Sequence, residues 1–185
     1  MSHERAGFPR LKWLFVSFLF LSLTHCFGGV DKTGKVRSYA PGTVRTEKGF
    51  YNVGLLPESW REDRISPYRM IVFYNEGFKS SIETDAFCDD AFDDASLKVL
   101  TTHLHFDLVD RKIQKEKDLM LDNRGALRTV ASGKVDGVMI VLDTVVLKKD
   151  NCLFDFVLVA SPNSYTDAAR DFETFFGGFR YHGDI

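Results

Sequence analysis

Hydrophobic and polar residues alternate in three different ways along this chain. From Trp13 to Leu23 the residues are apolar, broken only by Ser17 and Ser22. From Phe27 to about Lys48, Gly28, Gly29, Gly34, Pro41 and Gly42 sit among scattered charges without an apolar period, the pattern of a linker. Beyond that, short periodic segments follow one another. Phe50–Val53 predicts a strand leading into Gly54-Leu55-Leu56-Pro57, where proline ends pairing and Trp60 is placed to cover a core edge. Arg69–Asn75 and Ser80–Asp85 read as strands around the turn at Glu76-Gly77. Leu97, Leu100, Leu104 and Leu108 recur at helical steps, so a helix capped by Asp93-Asp94 is expected to run to about Leu108.

From Arg111 the period shortens. A charged, exposed strand is expected over 112–121, then strands over Ala126–Val135, Val138–Lys148 and Cys152–Ser161. The separators Asp122-Asn123-Arg124-Gly125, Asp136-Gly137 and Lys149-Asp150-Asn151 are tight polar turns, which join antiparallel neighbours. Cys152–Ala160 is apolar nearly throughout and belongs at the centre of a sheet, with Pro162 breaking it. A last helix from about Tyr165 to Phe176 carries Ala168, Phe172, Phe175 and Phe176 on one face and ends at Gly177-Gly178. The sum is an α+β sandwich: an antiparallel sheet packed by a mid-chain helix and a C-terminal helix.

Charge gives the first segment its meaning. Arg5, Arg10 and Lys12 precede the apolar run, which has the form of a secretory signal over residues 1–25. Eleven helical residues reach roughly 16 Å, against about 30 Å of bilayer hydrocarbon, so the segment reads as a signal and not a permanent span. Leu23-Thr24-His25-Cys26 then resembles a bacterial lipobox, in which a Leu three residues before an invariant Cys directs diacylglycerol transfer to the thiol. Leu23, Thr24 and Cys26 fit, while His25 stands where a small residue is usual. The resemblance implies lipidation at Cys26, with residues 26–48 as a flexible tether and 49–181 as the domain. Ordinary cleavage nearby and a retained anchor helix are the competing readings.

The whole chain of 185 residues carries a formal charge of −2, and without residues 1–25 it keeps 21 basic and 25 acidic side chains. A mildly acidic domain lacks the basic stripe that phosphate neutralisation requires, which argues against nucleic acid as a partner. Thirteen of the 17 phenylalanines lie after Cys26, enough to fill a core. With Cys26 lipidated, Cys88 and Cys152 remain as an even pair in an oxidising compartment. A bridge between them would close a loop of about 64 residues, and two buried free thiols are the alternative. Both sit at element edges beside polar residues (Asp89 and Asp90, Asp150 and Asn151), which favours the bridge.

Several of these residues together resemble a known fold. A short strand into Leu-Pro-x-x-Trp, a mid-chain helix, a strand meander and a terminal Phe-x-x-Gly-Phe resemble the PsbP-like fold. That fold is shared by the photosystem II extrinsic protein, a eukaryotic Ran-binding import factor and DcrB-type envelope proteins. More narrowly, Gly54, Leu56, Pro57 and Trp60, Cys88, Leu121, Asp122 and Arg124, and Cys152 with Asp155 are similar to positions in uncharacterised bacterial lipoproteins. The chain departs from them at Asn123, where Gly is usual, and at Phe154, where Tyr is usual. The resemblance implies the fold over about Phe50 to Phe179 and adds weight to the Cys88–Cys152 bridge. It implies little about function.

Candidate chemistry is sparse. His103 and His105 are two residues apart on a helix and point to different sides, so they cannot share a metal; His103 with Asp107 lacks further ligands, and an ordinary helical-surface pair is expected. Asp85, Asp89, Asp90, Asp93 and Asp94 lack the spacing and glycine of a calcium loop, and helix-start capping is the simpler role. Gly-x-Ser-x-Gly, P-loop and Gly-x-Gly-x-x-Gly motifs are absent. The phenylalanines of the last helix could line a pocket for an acyl chain, but the same spacing serves core packing, which is the expectation. No catalytic residue, metal ligand or cofactor is therefore assigned. The reading is an envelope-located accessory domain, tethered to the membrane and facing periplasm or exterior, that binds a protein or small component. The alternative is a carrier of a hydrophobic ligand such as lipid, with an enzyme last.

Overall fold

The computed structural model describes residues 36–63, 70–88 and 94–183. Eleven strands and two helices follow the order β1 (Val36–Ala40), β2 (Thr43–Thr46), β3 (Gly49–Asn52), β4 (Trp60–Asp63), β5 (Ile71–Asn75), β6 (Ser80–Phe87), α1 (Leu97–Leu104), β7 (Val109–Leu121), β8 (Arg124–Val135), β9 (Val138–Lys149), β10 (Cys152–Ala160), α2 (Tyr165–Gly177) and β11 (Arg180–Gly183). They build a seven-stranded sheet, β4-β5-β6-β10-β9-β8-β7, and a four-stranded sheet, β1-β2-β3-β11, with every neighbouring pair antiparallel. The α+β sandwich expected from the sequence is the fold.

The meander from β7 to β10 is set by three two-residue turns. Asp122-Asn123, Asp136-Gly137 and Asp150-Asn151 all have positive φ at both positions, as type I′ hairpin turns require. Asn123 therefore stands where glycine would serve equally, because asparagine tolerates φ of 61° better than most residues. β10 is inserted between β6 and β9, which is why it is apolar on both sides.

Alternation along these strands gives the large sheet two buried faces. On one, Val145, Leu147, Phe154, Phe156 and Leu158 meet Phe172, Phe175 and Phe176 of α2, Phe179 just after it, and Tyr51 and Tyr181 of the small sheet. Tyr51 packs edge-on against Phe154 and Phe156, with ring centroids 5.2 and 6.3 Å apart. On the other, α1 lays Leu100 over Val146 and Leu153, and Leu108 follows over Ala131 and Leu142. The α2 phenylalanines are core residues, as expected.

Glycine explains two of the motifs together. A Cβ at Gly54 would lie 2.0 Å from the carbonyl oxygen of Thr174, and one at Gly178 would lie 2.2 Å from the Gly54 nitrogen. The end of α2 thus docks backbone to backbone, with Gly54 N–H donating to the Phe175 carbonyl at 2.8 Å. Trp60 Nε1 donates to Asp171 Oδ2 at 2.7 Å one turn earlier in α2. Gly54-x-Leu-Pro-x-x-Trp60 and Phe175-x-x-Gly178-Phe179 are two sides of one contact.

Three expectations need correction. Residues 36–46 are not a tether: Val36, Val44 and Thr46 are buried in β1 and β2, and short alternation hidden among glycines and charges concealed the hairpin. The domain accordingly begins before residue 49 and extends through β11, past 181. Helix α1 is shorter than expected, because Ser96 and not Asp94 caps it, accepting from Val99 N–H at 3.3 Å, and His105 ends it. Residues 1–25, Cys26, the first part of the expected tether, Asp89, Asp90 and Asp93 lie outside the described residues.

Candidate functional site

The α2 face of the large sheet contains a buried ionic cluster that its apolar pattern does not announce. Arg128 (β8) and Asp143 (β9) are diagonal neighbours on this face, 8% and 0% exposed. Arg128 Nε donates to Asp143 Oδ1 at 2.9 Å and Nη2 to Oδ2 at 2.6 Å; Nη1 reaches Glu173 Oε1 at 2.5 Å. The Tyr165 hydroxyl donates to Asp143 Oδ2 at 3.0 Å, and Arg128 stacks over Phe176 at 5.4 Å. Burial and the adjacent Asp143 push the Tyr165 hydroxyl up to about 12. Arg128, Asp143 and Tyr165 bond one another, and with Glu173 they fasten α2 to the sheet.

The α1 face differs. Two stripes run along α1: Leu97, Leu100 and Leu104 face the sheet, while Lys98, Thr101, Thr102 and His105, at i, i+3, i+4 and i+7, face edge strand β7. Between this polar stripe and Arg111, Ile113 and Glu116 of β7, with Thr129 of β8 in the floor, lies a groove of about 290 Å³. Lys98 Nζ and Glu116 Oε1 bridge it at 3.2 Å. Thr101 and Thr129 are 4% and 1% exposed, and among the described residues neither hydroxyl has a hydrogen-bond partner.

His105 anchors the groove to the sheet. Its Nε2 lies 3.1 Å from the Thr144 hydroxyl, which itself donates to the Thr129 carbonyl at 3.3 Å. With the Thr144 hydrogen given to the Thr129 carbonyl, Nε2 carries the imidazole proton and donates. Burial, and then Arg111, pull the His105 value down to about 4, so the ring is neutral.

A second polar anomaly lies nearby on the same face. Asp155 of β10 stands directly opposite Asp85 of β6. Asp155 is 9% exposed and its Oδ1 has no hydrogen-bond partner among the described residues. Burial and then the Asp85 charge raise it to about 7. Three residues away, Cys152 is joined to Cys88 by a disulfide with Cα atoms 3.8 Å apart, pinning the end of the β6–β10 ladder.

A wider depression of about 630 Å³ runs along β4 and β5, lined by Ser59, Arg61, Asp63, Tyr74 and Asn75. Its buried amide is already used: Asn75 Nδ2 donates to Ser59 Oγ at 3.1 Å and Oδ1 accepts from Phe78 N–H at 3.1 Å. The α1–β7 groove, with unpartnered buried hydroxyls, is the better candidate.

The sequence residues distribute unevenly over this map. Cys88 and Cys152 come together. His103 and Asp107 are exposed as expected of surface positions, whereas His105 is 2% exposed and caps α1 where the chain turns onto the sheet. Asp85 lies in β6 and Asp94 in an exposed turn, so neither caps α1. Arg128, Asp143, Arg111 and the threonines went unassigned. Lys98-x-x-Thr101-Thr102-x-x-His105, a polar stripe beside an apolar one, was the available signal.

No protein-family model and no curated protein sequence matches the chain. Solved structures do resemble it. LpqN, involved in cell envelope biogenesis of Mycobacterium tuberculosis, aligns over 72% of this chain and 84% of its own, at 13% identity and TM-score 0.52. A Bacteroides thetaiotaomicron protein aligns over 83% of this chain, at 13% identity and TM-score 0.53, and this chain covers 50% of its length. The cyanobacterial PsbP of Synechocystis (CyanoP) aligns over 86% of this chain and 99% of its own, at 13% identity and TM-score 0.53. These likenesses carry the fold and nothing more: the domain is a PsbP-like α+β sandwich.

Proposed function

We propose that this protein is an exported, non-catalytic binding module of the bacterial envelope, anchored by lipid at Cys26, with the α1–β7 groove as its ligand-contacting surface. The observation that carries the location is the Cys88–Cys152 disulfide, because such bonds persist outside the reducing cytoplasm. The signal-like leader and Leu23-Thr24-His25-Cys26 point the same way, as does the role of LpqN in envelope biogenesis. Binding is favoured over catalysis because the strongest acid–base cluster, Arg128–Asp143–Glu173, is bound up in holding α2. Carriage of a lipid chain has less support, since Phe172, Phe175 and Phe176 fill the core.

Fractionation of producing cells tests the location. The protein is expected in the membrane fraction, with mass spectrometry finding diacylglycerol on Cys26 and the Cys26→Ala variant released or left unprocessed. A soluble cytoplasmic protein with its leader intact and both later thiols reduced would overturn it. Cross-linking in those cells, with photoreactive groups placed along α1 and β7, is expected to capture a partner or ligand. Turnover of ester, glycan or peptide substrates that is lost on mutating one groove residue would contradict the non-catalytic reading.

A further inference from the structure

The groove contains features that packing alone does not require. β7 breaks register with β8 twice, between Val109 and Lys112 and between Ile113 and Lys115. Bulges of this kind re-aim side chains. Plain alternation would set Lys115 on the face of Ile113; after the second break Glu116 stands opposite Thr129 and pairs with Lys98 across the groove. The first break begins at Asp110, held at φ of 55°, and carries Arg111 into the groove wall.

The charges around Arg111 are then unequal. Asp110 is taken by Lys134 at 3.1 Å, and Glu116 by Lys98. Among the described residues Arg111 has no carboxylate partner, and His105 beside it is neutral. The groove therefore has one uncompensated guanidinium, a group whose planar fork matches carboxylate and phosphate oxygens. In the same walls are the two buried hydroxyls without partners, Thr101 and Thr129.

We propose that the α1–β7 groove binds an anionic group, a carboxylate or a phosphate, seated on Arg111 between the polar stripe of α1 and the bulged edge of β7. The inference rests on the binding-module reading and adds the ligand's chemistry to it. A volume of 290 Å³ equals that of about ten water molecules, at the small end of ligand sites. It suits a small anion or the headgroup of an anionic lipid. Ile113 is the one aliphatic residue in its lining, beside three charged side chains, which favours a small anion over an acyl chain.

The full-length protein in neutral detergent allows the test, using inorganic phosphate, acetate and glycerol phosphate at constant ionic strength, with chloride as reference. Phosphate or acetate is expected to raise the thermal midpoint along a saturating curve that chloride does not reproduce. Arg111→Gln, at an exposed position, is expected to weaken that apparent affinity at least tenfold, and Lys117→Gln to leave it unchanged. Glycerol phosphate separates the sources: binding at least tenfold tighter than inorganic phosphate assigns a lipid headgroup, and equal or weaker binding assigns a free anion. No response beyond chloride, or a response that survives Arg111→Gln, overturns the anion site. Cross-links captured at α1 and β7 in that case would still uphold the binding module, so the two failures are distinct.

Discussion

On the α2 face of the seven-stranded sheet, Arg128, Asp143, Glu173 and Tyr165 complete one another's hydrogen bonds, and Thr84 pairs with the Tyr51 hydroxyl at 2.9 Å. On the α1 face, Thr101, Thr129 and Asp155 each keep a buried oxygen without a partner among the described residues. The same strands supply both faces, so strand propensity cannot account for the difference. A buried polar group costs free energy unless it is satisfied. The α2 face meets that demand internally. The α1 face leaves it open, which is why the site is placed there. Each experiment below acts on one face and takes the other as its control.

The largest effect belongs to the α2 face. Asp143→Ala leaves the Arg128 guanidinium buried without its carboxylate, and chemical denaturation should show a loss of about 3–5 kcal/mol. Replacing both members, Arg128→Met with Asp143→Leu, should recover most of it, since the pair's desolvation cost vanishes with the pair. A single-variant loss under about 1 kcal/mol would mean that the cluster is not the fastening described, and the contrast between faces would fail.

Next comes the seam where Asp85 and Asp155 meet. The disulfide closes a 64-residue separation, and Cys88→Ser with Cys152→Ser should cost about 2–4 kcal/mol. Because the bridge holds β6 against β10 while the carboxylates repel one another, the loss should be greater at pH 8 than at pH 5. Equal losses at both would separate the bridge from the carboxylate pair.

Proton linkage on the α1 face gives a finer test, because Asp155 and His105 act in opposite directions. Asp155 titrates at about 7 when folded and near 3.8 unfolded, so the folded protein holds the extra proton and stability falls as pH rises between them. Glu83, raised by burial on the same face of β6, adds to that fall. His105 titrates at about 4 folded and 6.5 unfolded, so the unfolded chain holds the extra proton and stability falls as pH drops through that window. In the parent the Asp155 and His105 slopes oppose one another between about pH 4.5 and 6.5. Asp155→Asn should therefore gain about 2 kcal/mol across that range relative to the parent, and His105→Gln should lose about as much. Superimposable profiles for the three proteins would refute both assignments.

Much of this architecture was legible beforehand, and the exceptions have physical causes. Asp-Asn and Asp-Gly pairs announced the β7–β10 meander because few residues tolerate two successive positive φ values. The central place of β10 followed from its unbroken apolar run. β1 and β2 were missed because each buries at most two side chains, too few for a period to emerge. β11 is equally short and follows the glycines that end α2. Arg128 and Asp143 could not be paired from sequence, since their proximity depends on the register of β8 against β9. The groove was half visible: the polar stripe of α1 is written in the sequence, but the bulges that bring Arg111 and Glu116 opposite it are not.

The smallest effect isolates the contrast most cleanly, because one substitution is made on both faces. Thr84 and Thr129 are each 1% exposed on strands of one sheet. Thr→Val changes a hydroxyl to a methyl at nearly constant shape. At Thr84 it strands the buried Tyr51 hydroxyl, which should cost about 1–2 kcal/mol. At Thr129 it removes an oxygen that has no partner to lose, and its carbonyl still accepts from Thr144. Thr129→Val should therefore be neutral, or stabilising by up to about 1 kcal/mol, in protein free of ligand. Opposite signs from the same chemical change would locate the unsatisfied polarity on the α1 face. Equal losses would mean that the Thr129 hydroxyl is already satisfied, and the groove would lose the feature that distinguishes it from ordinary surface.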